Sequence, residues 1–168
     1  MKGRGINKSK VIEISKLKKE SKWMRDFRIN SYLKFEELPN PDFGPELQID
    51  FDDITYYKKV ANIENNWDNV PKDIKDTFDK LGLIEAEQKY LSGVGAQVES
   101  EVIYHNMLKE LESKNIIFCD TDTALKKYPE IFKKYFNKLV KYDENKYTAL
   151  NGAVWSGGTF IYVPPHTK

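Results

Sequence analysis

Tyr147–Lys168 reads YTALNGAVWSGGTFIYVPPHTK, and the order of elements within it decides the fold. A short helical pattern runs into Gly157-Gly158, and Thr159–Val163 then reads as a strand. Phe160, Ile161, Tyr162 and Val163 are all strong strand formers. No further strand follows to pair with them, and nothing polar blunts the edge that such a strand presents. The expectation is therefore an unpartnered terminal strand, with more protein after Lys168. This chain reads as the first part of something larger.

Working outward, 168 residues suffice for a domain with a real core. A hydrophobic content of 40% and an aromatic content of 13% argue for a folded chain rather than a disordered one. Lys and Arg (27) nearly balance Asp and Glu (26), and the net charge of +1 gives no electrostatic reason to expect nucleic acid as a partner. The opening MKGRGINKSK, residues 1–10, reads as a basic flexible tail. No apolar run follows the early lysines as a secretory signal requires. No segment approaches the ~20 apolar residues that span a bilayer. The single cysteine, Cys119, excludes an internal disulfide framework and a cysteine-only metal site. The expectation is a soluble cytoplasmic protein with neither membrane nor nucleic acid as a partner.

Ser9–Leu38 is helical. Val11, Ile14 and Leu17 mark one face, and Met24, Phe27, Ser31, Phe35 and Leu38 continue at spacings of three and four. Ser21 suits a cap between two helices. Pro39, Pro41 and Pro45 with Gly44 impose an extended segment. Asp50–Val60 has the content of a short strand or extended arm. Pro71 opens a helix that runs to Leu81 and ends at Gly82. Ile84–Leu91 reads as a second short helix, Gly93–Gln97 as a turn, Val98–His105 as extended and Met107–Ser113 as helix. Ile116–Cys119 is a buried strand, after which Asp120 or Asp122 caps a long amphipathic stretch through Leu125, Tyr128, Phe132, Tyr135 and Leu139. Pro129 inside that stripe predicts a kink or a new helix. The class is α+β, mostly helical.

Candidate chemistry is sparse. A nucleophilic cysteine needs a base or a positive field to lower its pKa. Cys119 instead sits beside Asp120 in an apolar run, so an inert buried thiol outweighs a reactive one. Cys119, Asp120, Asp122, His105 and His166 match no zinc spacing, and the two aspartates are better explained as helix caps. Gly93-Val94-Gly95 follows a helix and lacks a third glycine or a lysine, so a turn outweighs a phosphate cradle. Nothing marks two carboxylates as a facing acid/base pair. No catalytic, cofactor-binding or metal-binding residue is assigned.

Several stretches nonetheless carry a family likeness: WMRDFR (Trp23–Arg28), IDFDDITYY (Ile49–Tyr57), the W-D-x-V-P-x-x-I-K-x-T-F pattern (Trp67–Phe78), LGLIEAEQKYLSGVGAQVESEVIYHN (Leu81–Asn106), FCDTDTALKKYPE (Phe118–Glu130) and ALNGAVWSGGTFIYVP (Ala149–Pro164). In this order and spacing they resemble the amino-terminal region of the SufB/SufD family, scaffolds of the SUF iron–sulfur cluster assembly system. No single block is mechanistic; their collinearity from about Val11 onward is what is specific.

The resemblance implies an α+β, mostly helical amino-terminal domain over 11–145. It also implies that 146–168 begins a right-handed parallel β-helix, with Thr159–Val163 as its first rung, truncated here. A solenoid rung buries its face only against the next, which suits an unpartnered strand. The implied function is a scaffold and not an enzyme, SufB-like, acting with the SufC ATPase and a SufD-like or second SufB subunit. Sulfur would come from a cysteine desulfurase or sulfur-transfer protein, and an iron–sulfur cluster would be carried transiently by the longer protein. The family's cluster-ligating cysteine and ATPase-docking surface fall beyond this region, and Cys119 stands where the family does not require cysteine. A free-standing α+β protein-interaction module without catalytic activity is the alternative.

Overall fold

The computed structural model describes residues 3–45, 47–59, 62, 64, 66–82, 93–107 and 109–167. The chain divides into two compact units, Met1–Lys58 with Tyr128–Trp155, and Lys59–Lys127 with Ser156–Lys168. The expected helix at Ile84–Leu91 lies outside the described residues.

The first unit is all-α. Helix α1 spans Lys8–Leu17, and its start is set by Asn7, whose side chain accepts from the Lys10 N–H at 2.9 Å. Its buried residues include Val11 and Ile14, both 0% exposed, each contributing about 1.5–3 kcal/mol of apolar burial. A left-handed Lys19 (φ 53°) turns the chain into α2, Lys22–Glu37. Ser21 does occupy the N-cap position, but its side chain makes no cap hydrogen bond. Residues of the expected basic tail are tied to a later segment of this unit, Gly5 N–H donating to the Ile54 carbonyl at 2.9 Å and Arg4 pairing with Asp53. Asp50–Val60 resolves, over its described residues, into a single turn at Phe51–Asp53 and an extended arm with no ladder partner.

The amphipathic stripe of the later sequence breaks where Pro129 predicts. Helix α6, Pro129–Tyr135, carries that proline at its first turn. It then ends at Tyr135, earlier than the stripe implies, so Leu139 is 96% exposed rather than on a buried face. Periodicity continued where backbone hydrogen bonding did not. Asn145 then starts α7, Lys146–Val154, with a capping box: its side chain accepts from the Thr148 N–H at 3.1 Å, and the Thr148 hydroxyl accepts from the Asn145 N–H at 3.0 Å. Helix α7 packs along α2, and aromatic rings join α2 to α6 and to the residues that flank α7. Trp23, Phe27, Phe132, Phe136, Tyr142 and Trp155 stack or meet edge to face at centroid distances of 4.8–6.5 Å.

The second unit is built on two antiparallel strand pairs. Strand β1, Gly93–Val98, pairs with β2, Glu101–Met107, through a turn at Glu99-Ser100 where Glu99 has φ 54°. Gly93–Gln97, expected as a turn, is thus strand, and Val98–His105 is not one extended run but spans the hairpin turn. The glycines mislead in sequence because they depress strand propensity without forbidding the ladder. Helix α3, Lys72–Lys80, follows Pro71 and stops before Gly82 at φ 67°. Its Ile74 and Phe78 pack with Trp67 on a core of Val70, Ala96, Ile103 and Tyr104. After α4 (Lys109–Ser113), strand β3 (Ile117–Asp120) feeds directly into α5, Thr121–Lys127.

Strand β4, Thr159–Tyr162, does have a partner, which corrects the reading of an unpaired strand. It pairs antiparallel with the earlier β3, Ile117 opposite Tyr162 and Asp120 opposite Thr159. Sequence order hid this, because the partner precedes β4 by some forty residues. The architecture of the described residues is α+β with small antiparallel sheets.

Candidate functional site

The candidate residues of the sequence converge mainly on the second unit, where β2, β3 and β4 meet. Cys119 lies on β3 opposite Phe160 and is half-buried. Burial pushes its thiol up to about 11, with the neighbouring Asp120 carboxylate adding and Lys127 opposing. A thiol held this high carries little thiolate near neutral pH and is a poor nucleophile. Asp120 caps α5, its Oδ1 accepting from the Thr123 N–H at 2.8 Å, and Asp122 lies in that helix's first turn. His166 stands apart in the turn after β4, with φ 63°. Gly95 sits in β1 opposite His105 and makes no loop for a phosphate.

His105 packs its ring on Phe118 at 4.8 Å. Burial lowers its pKa below the ordinary imidazole value, while Asp120, a backbone hydrogen bond with Phe118 and Glu112 pull the other way. Its Nε2 has no hydrogen-bond partner among the described residues, so a second ring proton would be left unpaired. The neutral ring is the folded form's preference. The unfolded chain takes up a proton near pH 6.5 while the folded chain resists, so stability should fall as pH drops below that value and level off once the folded histidine protonates. Urea midpoints at pH 8 and pH 5.5 check this. The difference should shrink in His105→Gln, and an unchanged difference would mean that other groups cause it.

Gly157-Gly158, read in sequence only as the break between helix and strand, forms a locked turn. Gly157 has φ 67° and Gly158 φ 104°, and a Cβ on Gly157 would meet the Gln97 amide at 2.5 Å. Gln97 Oε1 accepts from the Gly158 N–H at 3.0 Å, and the Gly158 carbonyl accepts from the Thr121 N–H at 3.2 Å. The Thr121 hydroxyl donates to the Gly157 carbonyl. Here the positive φ at both positions is what requires glycine, since the Gln97 amide is the end of a flexible side chain and can yield. The turn leads directly into β4, which pairs with β3.

The first unit holds what sequence reasoning passed over. Arg28, 0% exposed, lies on the apolar stripe of α2 between Met24 and Ser31. It binds Glu20 through Nε at 2.8 Å and Nη2 at 2.6 Å, both side chains fully buried. Its guanidinium also donates to the Ala153 carbonyl at 3.1 Å and the Trp155 carbonyl at 2.9 Å, and lies 4.8 Å from the Trp155 ring centroid. Those carbonyls close the C-terminal end of α7, where helix carbonyls lack intrahelical partners and the dipole favours a cation. The signal was available: a charged residue at spacing four within an apolar stripe is buried or misplaced, and burial demands a partner.

Among the described residues, no three of His, Cys, Asp and Glu come together as a metal would need. No helix among them is long and apolar enough to cross a membrane. Among the described residues, a buried arginine ties the helices of the first unit and a double-glycine turn leads into the last strand of the second.

The sequence itself belongs to a known family. The profile described as the SufBD protein N-terminal region matches residues 17–168, and the chain belongs to that family. It is 57% identical over 167 residues to an iron-sulfur cluster assembly SufBD family protein of Staphylococcus saprophyticus, covering 98% of this chain and 36% of that protein. A relative of the same description from Staphylococcus epidermidis is 57% identical and one from Staphylococcus aureus 58%, with the same coverage. The chain thus spans about a third of the length of the curated relatives it matches.

Proposed function

We propose that this chain is the amino-terminal part of a SufB-like scaffold for iron–sulfur cluster assembly in the cytoplasm. The observation that carries this reading is the family match over residues 17–168, together with relatives at 57–58% identity whose descriptions name iron–sulfur cluster assembly. The scaffold works with a SufC-like ATPase and a SufD-like or second SufB subunit, and takes sulfur from a cysteine desulfurase or sulfur-transfer protein. The cluster is its cargo and ATP hydrolysis is the partner's, so this chain contributes no catalytic group of its own. Residues 146–168 begin a right-handed parallel β-helix in which β4 is the first rung. The high thiol pKa of Cys119 supports a packing role for that residue. A second reading, a free-standing α+β interaction module, draws support from the pairing of β4 with β3, which gives the strand a partner without any later one.

Depleting the protein in its host separates the two. On the scaffold reading, iron–sulfur enzymes lose activity while their polypeptides persist, and the protein purifies with an ATPase subunit. Unchanged activity of such enzymes after depletion would overturn the scaffold reading.

A further inference from the structure

The first unit carries two exposed apolar features of opposite charge. After α2 the chain runs from Leu38 to Asp50 without regular structure in its described residues. Segments of about this length are uncommon in compact units unless they serve as linkers or binding elements. Phe43 is 65% exposed, Leu47 50% and Ile49 38%. Within this segment the sequence holds Asp42, Glu46 and Asp50 and neither Lys nor Arg, while Glu37 and Asp53 at its flanks pair with Lys34 and Arg4. This is an acidic strap with apolar side chains in water.

The loop after α6 is its converse. Leu139 is 96% exposed, Val140 61% and Tyr135 57%. Lys133, Lys134, Lys138 and Lys141 surround them, all exposed. The loop is held in shape. The Asn137 amide donates to the Val140 carbonyl at 3.0 Å and accepts from the Tyr142 N–H at 3.0 Å, and the Lys141 N–H donates to Glu144 Oε1 at 2.9 Å. Asn137 itself takes the left-handed conformation, φ 58°. Fixed polar contacts thus present a leucine almost wholly to water, as an anchor residue is presented to a pocket.

Both features adjoin α2, the strap at its C-terminal end and the loop against its N-terminal half, where Phe136 meets Trp23 and Phe27. The strap leaves it at Leu38. The loop returns along it, with Tyr142 against Phe27 at 5.3 Å and Lys146 Nζ donating to the Leu38 carbonyl at 3.2 Å. The exposure of Leu139 shows that a protomer's own strap does not cover its loop. Two complementary patches on one unit are what a two-fold, self-complementary contact needs, since each then meets the other's counterpart. We propose that the acidic strap of one copy docks on the basic Tyr135–Lys141 loop of a second copy, and reciprocally, to form a two-fold dimer. An anionic membrane would also attract the loop, but it would repel the strap. The proposal does not rest on a role in cluster assembly; either can fail while the other stands.

Sedimentation equilibrium of the chain at ionic strengths of about 0.05 and 0.5 M tests it, because pairing of exposed charges is screened at the higher value. A dimer is expected at low salt, shifting towards monomer at high salt. Lys138→Glu with Lys141→Glu, and Asp42→Lys with Glu46→Lys, should each weaken self-association by about tenfold or more. Leu139→Ser, at a site too exposed to threaten folding, should do the same, and far-UV circular dichroism checks each variant. Mixing the two charge-reversed chains should restore a dimer, since both contacts are then complementary again. A monomer at all concentrations and both salts, a dimer indifferent to the variants, or a mixture that stays monomeric would each overturn the proposal. So would a monomer that binds vesicles of anionic phospholipid through Leu139.

Discussion

Arg28→Ala is expected to destabilise the first unit by about 3–5 kcal/mol, the range for breaking a buried ion pair from one side. The side chains of Arg28 and Glu20 are both fully buried, so alanine strands the Glu20 carboxylate without its bidentate partner. It also removes the donors that satisfy the Ala153 and Trp155 carbonyls at the end of α7. The loss therefore falls on two helices at once. Urea denaturation followed by circular dichroism measures it. Arg28→Met combined with Glu20→Leu should be markedly less damaging than Arg28→Ala, because no charge is left unpaired. A single mutant within about 1 kcal/mol of the parent, the ordinary worth of an exposed pair, would show that water reaches the site.

Gly152→Ala is the second large effect. Gly152 lies on α7 where it crosses α2, and a Cβ there would stand 2.6 Å from Ser31 Oγ, 2.9 Å from Ser31 Cβ and 3.0 Å from Tyr142 Cβ. Two of those atoms are the first of their side chains and cannot swing away, so the helices must separate. Overpacking of this kind costs about 1–3 kcal/mol, offset in part by alanine's better helix propensity, about 1 kcal/mol. Valine should cost more. Ser31→Gly removes two of the three clashing atoms, so the double mutant should recover much of the loss. A double-mutant cycle reads this as coupling of about 1 kcal/mol or more. Additive losses would mean that α2 and α7 do not approach so closely in solution.

Much of the helical framework was legible because its signals are local. The 3.6-residue stripe of α2, the break near Ser21, Pro129 at the start of α6 and Gly82 past α3 each depend on neighbours within a turn. The stripe overshot at Leu139 for the same reason: periodicity reports where apolar residues fall, not whether the backbone between them still closes hydrogen bonds. The β1 segment was misread because Gly93 and Gly95 look like turn residues until a partner strand is placed beside them. The candidate site shows the same division. A cap at Asp120 or Asp122 was readable from their place at the start of a helical stretch, and the structure gives the role to Asp120, whereas the His105–Phe118 contact joins residues on separate strands.

By itself the sequence determined the α+β class, most helix limits, the break at Gly157-Gly158 before β4 and, through collinear blocks, the family. Each of these rests on short-range backbone preference or on patterns preserved along the chain. Only the tertiary structure decided that β4 pairs backward onto β3, that Arg28 is buried against Glu20 and the end of α7, and that Gly157 is closed over by Gln97. Except for Arg28 with Glu20, eight residues apart, those are contacts between residues far apart in sequence. Their pairing is chosen by which surfaces exclude water together and which buried polar atoms find partners, and no local pattern records that choice.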